Sequence, residues 1–101
     1  MTIQNFIEEV VRRNGSDAQT IVAVEELSEL QKELCKYLRG QCDADHVKEE
    51  IADVQLMIWQ LQKIFGMSDY ELSVRVQTKV DRCVDRNIVQ NCSSSSSTTP
   101  F

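Results

Sequence analysis

Two long apolar runs at helical spacing, each closed by a glycine, leave this chain little choice of fold. Ile21, Val24, Leu27, Leu30, Leu34 and Leu38 form the first, before Gly40; Val47, Ile51, Val54, Ile58, Leu61 and Phe65 form the second, before Gly66. Steps of three and four residues collect each set on one face of an α-helix, and glycine tolerates the backbone that closes one. Ser16 or Asp17 can cap the first run and Asp43 the second, which predicts helices over 17–39 and 43–65. The few residues between them suit an antiparallel pair.

Two shorter elements complete the reading. Ile3, Phe6, Ile7, Val10 and Val11 predict a helix over 2–14, with Arg12 and Arg13 at its negative end and Gly15 as its stop. The segment "VRVQTKV" alternates like a strand, but Ser68 and Glu71 make a capping box, and Val76, Val80, Val84 and Ile88 recur every fourth residue. A helix over 68–90 follows. From 91 to 101 the polar run "NCSSSSSTTPF" offers too little apolar surface to order itself and is set outside the fold as a disordered tail. The expectation is an all-α, four-helix bundle forming a single domain over 1–90, in keeping with a length of 101 residues.

The third helix carries apolar residues nearly all round. Val47, Ile51, Val54 and Ile58 cover one side, Met57, Leu61 and Ile64 a second, and Leu56 and Trp59 a third, leaving a polar strip at Lys48, Gln55 and Gln62. Such a helix is expected to be buried all round, which four helices of one small chain scarcely achieve. A homodimer or homotetramer is therefore expected, with Trp59 in its core or interface.

Charge and composition narrow the function. Acids outnumber bases 16 to 11, for a net charge of -5, which argues against a protein that coats nucleic acid polymer or an anionic membrane. The N-terminal segment has no signal-like pattern and no stretch approaches eighteen apolar residues, so a cytoplasmic location is expected. Cys35, Cys42, Cys83 and Cys92 show no zinc-like spacing and read as reduced thiols. His46 is the one histidine, and its place at the start of a helix suits a structural role.

Against this background the acids stand out. "VEELSEL" at 24–30 holds Glu25, Glu26 and Glu29, and "EEIADV" at 49–54 holds Glu49, Glu50 and Asp53. Glu26 with Glu29, and Glu50 with Asp53, are spaced i,i+3 and so project side by side from faces that border the apolar stripes. Two carboxylates about 4 Å apart repel by roughly 4 kcal/mol at an effective dielectric near 20, and burial raises the cost of each anion. A set of four facing one another requires a cation, and oxygen-only ligands select a hard one, Mg²⁺ or its substitute Mn²⁺. The plainer alternative is a pair of solvated helix faces held by i,i+3 pairs such as Glu29 with Lys32 and Glu33 with Lys36.

"EELSE" matches EExxE and "EIAD" matches ExxD, separated by a helix end, a glycine-containing turn and a new helix start. In this the chain resembles the MazG-type all-α nucleoside triphosphate pyrophosphohydrolases, over about residues 17–90. The resemblance implies Mg²⁺ held by Glu26, Glu29, Glu50 and Asp53, with hydrolysis of a (d)NTP substrate to (d)NMP and pyrophosphate. That activity suits the clearing of non-standard nucleotides. Glu25, or a carboxylate not fully engaged by metal such as Glu29, is placed to orient or deprotonate the attacking water. Arg75, Lys79, Arg82 and Arg86 lie within about 60° on the fourth helix at 100° per residue, and Lys79, Arg82 and Arg86 are the candidates for substrate phosphate. Where similar family members carry an Asn four residues after the Lys, this chain has Cys83, a departure at the phosphate grip. The alternative from another class is a non-catalytic helical oligomer that binds a partner through its exposed faces. The two differ in one respect: the enzyme needs both acidic pairs to converge.

Overall fold

The computed structural model describes residues 1–86, and these are all-α. Among the described residues four helices follow in order: α1 (Ile3–Asn14), α2 (Ser16–Leu38), α3 (Ala44–Phe65) and α4 (Asp69–Asp85). They divide into two compact units, Met1–Met67 and a second beginning at Ser68. Residues 87–90 of the expected fourth helix, and the tail from 91, lie outside the described residues.

Local chemistry sets the helix ends. The Thr2 hydroxyl accepts a hydrogen bond from the Asn5 amide at 3.0 Å and opens α1. Gly15 closes α1, donating its N–H to the Val11 carbonyl at 2.9 Å, and also opens α2, its own carbonyl accepting from Gln19 at 3.1 Å. Its φ of 91° lies where only glycine sits without strain, so one residue makes the whole α1–α2 corner. This corrects the expectation that Ser16 or Asp17 caps α2. Ser16 is the first helical residue, and the cap makes no side-chain hydrogen bond.

α2 ends in a Schellman turn: Gln41 N–H donates to the Lys36 carbonyl at 2.8 Å and Gly40 N–H to Tyr37 at 3.0 Å, with Gly40 at φ 72°. Asp43 then caps α3 as expected, accepting from the His46 amide at 3.2 Å, and its carboxylate also meets the His46 ring at 2.7 Å. The Ser68 hydroxyl accepts from the Glu71 amide at 3.1 Å and opens α4.

In the first unit all three helices pack on one another, α2 with α3 most extensively. Ile7, Ala23 and Met57, one from each helix, are its buried apolar residues. Gln19, Gln60 and Gln62 are buried beside them. Gln62 thus departs from the polar strip expected at the surface of α3: its amide donates to the Met67 carbonyl at 3.3 Å, tying the end of α3 to its closing turn. Trp59 is half-buried. Much of the expected apolar stripe is uncovered within one chain, with Leu38 83% and Phe65 71% exposed and Ile21, Val24 and Ile51 exposed as well.

Candidate metal centre

The helix pair α2–α3 brings acids together from both sides. Glu26 of α2 and Glu50 and Asp53 of α3 each offer a carboxylate oxygen, and these atoms all lie within 4.8 Å of one another. Glu50 and Asp53 are side by side because they are spaced i,i+3, and Glu26 faces them across the helix contact. Glu26 and Glu50 are half-buried and Asp53 is exposed, so the group opens to solvent on one side. The Oε1 atom of Glu50 is buried and has no hydrogen-bond partner among the described residues.

Electrostatics follow from that placement. Burial raises the Glu26 carboxyl above its ordinary value, and the charges of Asp53, Glu29 and Glu25 raise it further. Glu50 is raised in the same way, by burial first and then by Asp53, Glu26, Glu29 and Glu33. Both groups resist ionising where they sit. A divalent cation reverses that balance, because it turns mutual repulsion into shared attraction. Three carboxylate oxygens with no nitrogen or sulfur donor suit a hard ion that keeps waters or phosphate oxygens in its other positions.

The other expected site residues are placed differently. Glu29 stands outside the three-residue group, exposed and paired with Lys32 at 3.6 Å, although its charge is felt at both Glu26 and Glu50. Glu25 is exposed on α2, Lys79 and Arg82 are exposed on α4, and Arg86 is exposed at the cap that closes it. Arg75, their neighbour, pairs with Glu71 at 2.9 Å. The free thiols Cys35, Cys42 and Cys83 form no disulfide among the described residues.

Glu33 escaped the sequence reading as anything but a salt-bridge partner. It does pair with Lys36 at 3.3 Å, but its side chain is only 12% exposed and its Oε1 is buried with no hydrogen-bond partner among the described residues. Burial works to raise its carboxyl, and hydrogen bonding from Cys42 and Lys36 outweighs it, holding the group below the ordinary carboxylate range. The available signal was spacing: Glu33 lies seven residues after Glu26, two turns along the same face. A depression lined by Met1, Asn5, Glu8, Glu9 and Arg12 belongs to α1 and shares no residue with the acidic group.

Among the described residues, no helix is long and apolar enough to cross a membrane. Comparison with known protein families, with characterised proteins and with solved structures finds no match. What fold and site define together is an all-α protein with a three-carboxylate cluster able to hold a divalent cation.

Proposed function

We propose that the chain is a Mg²⁺-dependent nucleotide pyrophosphohydrolase of the MazG-like kind, cleaving a (d)NTP to (d)NMP and pyrophosphate. The observation that carries this reading is the convergence of Glu26, Glu50 and Asp53 across α2 and α3, together with a buried Glu50 Oε1 that has no hydrogen-bond partner among the described residues. A bound Mg²⁺ supplies charge neutralisation along the phosphate chain and acidifies water beside it. The chain's own residues do the rest: Glu26, Glu50 and Asp53 fix the ion, with Glu29 one turn along α2 as a further acid. Glu25 or Glu29 accepts the proton of the water that attacks the α-phosphorus, as the bond to the bridging oxygen breaks and pyrophosphate leaves. Lys79, Arg82 and Arg86 are the proposed phosphate contacts.

The uncovered apolar residues of α2 and α3 support a homodimer or homotetramer as the working form. They would equally serve a non-catalytic oligomer, and convergence of the acids is what favours the enzyme over it. The deciding assay incubates the purified protein with a panel of NTPs and dNTPs, with and without Mg²⁺. Pyrophosphate released only with metal is expected; orthophosphate release, or turnover indifferent to chelator, contradicts the reading.

A further inference from the structure

Two turns from the acids, the same helix pair carries a buried pair of amides, extended outward by Asn14 of α1. The Asn14 side-chain N–H donates to Gln19 Oε1 at 2.8 Å, and Gln19 Nε2 donates to Gln60 Oε1 at 2.7 Å. Gln19 is 5% exposed and Gln60 2%. Their positions are not arbitrary with respect to the site. Gln19 lies seven residues before Glu26 on α2, and Gln60 lies seven residues after Asp53 on α3. Seven residues are two helical turns, about 10.5 Å, and return nearly to the same face. On helices running in opposite directions, the pairing of Gln19 with Gln60 and the meeting of Glu26 with Asp53 are therefore one register seen at two levels.

We propose that the Gln19–Gln60 hydrogen bond, braced by Asn14, is a register clamp that holds Glu26 of α2 against Glu50 and Asp53 of α3. These are positioning residues: they touch neither ion nor substrate, and their role rests on the metal-site reading above. The need for a clamp is physical. The acids repel one another and push the helices apart where they meet, and the apolar contacts of Ala23 and Met57 are non-directional and tolerate sliding. A buried amide pair is directional, and slipping by one turn, about 5.4 Å, leaves both amides unsatisfied in a dry core. Buried polar pairs specify helix register in coiled coils in the same way.

The test separates clamping from mere stability. The Gln19→Met, Gln60→Met double variant replaces both amides with apolar chains of similar length, which preserves core packing. Spin labels at Ser28→Cys on α2 and Gln55→Cys on α3, with the native cysteines replaced by serine, report the interhelical distance by double electron–electron resonance. Electron paramagnetic resonance reports Mn²⁺ affinity. The clamp predicts unchanged helical content, a displaced or broadened distance distribution, and Mn²⁺ affinity at least about tenfold weaker, the range seen when groups supporting metal ligands are removed. An unchanged distance distribution overturns the clamp, whatever the metal does. A wild-type chain that takes up no Mn²⁺ sinks the metal reading alone, and the distance measurement still judges the clamp. Should the double variant not fold, Asn14→Ala at the exposed end of the amide chain takes its place. Broadening is expected there also, and a distribution identical to wild type overturns the proposal.

Discussion

Near the start of α2, Gln19 and Gln60 bury their amides and satisfy one another at 2.7 Å; two turns further along the same helix pair, Glu26, Glu50 and Asp53 bring three acids together, and the buried Glu50 Oε1 has no partner among the described residues. Both regions place polar groups where apolar ones would pack more cheaply. The first behaves as structure, because each amide finds a complementary group. The second finds no such partner among the described residues: like charges brought together cost stability, two of them on half-buried side chains, and a cation would offset that cost. The contrast teaches how to tell glue from a site: glue is satisfied within the chain, whereas a site is left for something else to satisfy.

The sharpest way to break that comparison is to neutralise the acids. Glu50→Gln or Asp53→Asn is expected to lower Mg²⁺-dependent pyrophosphate release by at least about a hundredfold while the circular dichroism spectrum stays helical. Turnover near wild type in either variant would remove that residue from the site. Next comes the amide half. Gln60→Ala strands Gln19 in a dry core and opens a cavity, and is expected to cost about 2–4 kcal/mol in urea unfolding, where a surface position such as Gln55 would cost almost nothing.

The same measurement should change sign in the acidic half. With chelator present, Glu50→Gln removes a repelling charge and is expected to stabilise the fold. Acidic variants that destabilise the metal-free chain would mean that the carboxylates are structural after all.

A smaller effect concerns pH. Folded Glu26 and Glu50 hold protons more tightly than in the unfolded chain, whose ordinary value is 4.5, so their contribution to stability grows as pH falls through the raised folded values. His46 is held above 6.5, by its hydrogen bond to Asp43 and then by that residue's charge. Its contribution is complete below 6.5 and fades as pH rises through the folded value, so it acts in the same direction. Glu33 and Asp43 are held low and withdraw stability only below their ordinary values of 4.5 and 3.8. In chelator the melting temperature should therefore be higher at about pH 5 than at about pH 7.5, with Glu50→Gln narrowing the gap. A melting temperature that climbs with pH across that window would contradict the placement of the acids.

The helices were legible because their punctuation is chemical. Gly40 and Gly66 carry the positive φ that closes a helix, and Asp43 and Ser68 accept the amide protons that open one. Gly15 reads in sequence as a stop alone, since Ser16 and Asp17 are better capping types; a positive φ that serves two helices at once leaves no mark beyond the glycine itself. Gln62 looked like surface by periodicity, and its burial depends on a turn geometry that periodicity does not describe. The meeting of Glu26 with Glu50 and Asp53 could be expected from two i,i+3 pairs on antiparallel helices. Which further acid of α2 turns inward could not: Glu29 and Glu33 differ by some 40° around the helix, and only the rotation of α2 against α3 makes Glu33 the buried one.

The central claim is that three oxygens from two helices share one divalent ion. Crystals grown with Mn²⁺ and measured at an anomalous wavelength test it directly. The account predicts a peak bounded by Glu26, Glu50 and Asp53, with oxygens at roughly 2.0–2.2 Å, as hard-ion sites require. A featureless map at that point, with those side chains turned apart toward solvent, would contradict it.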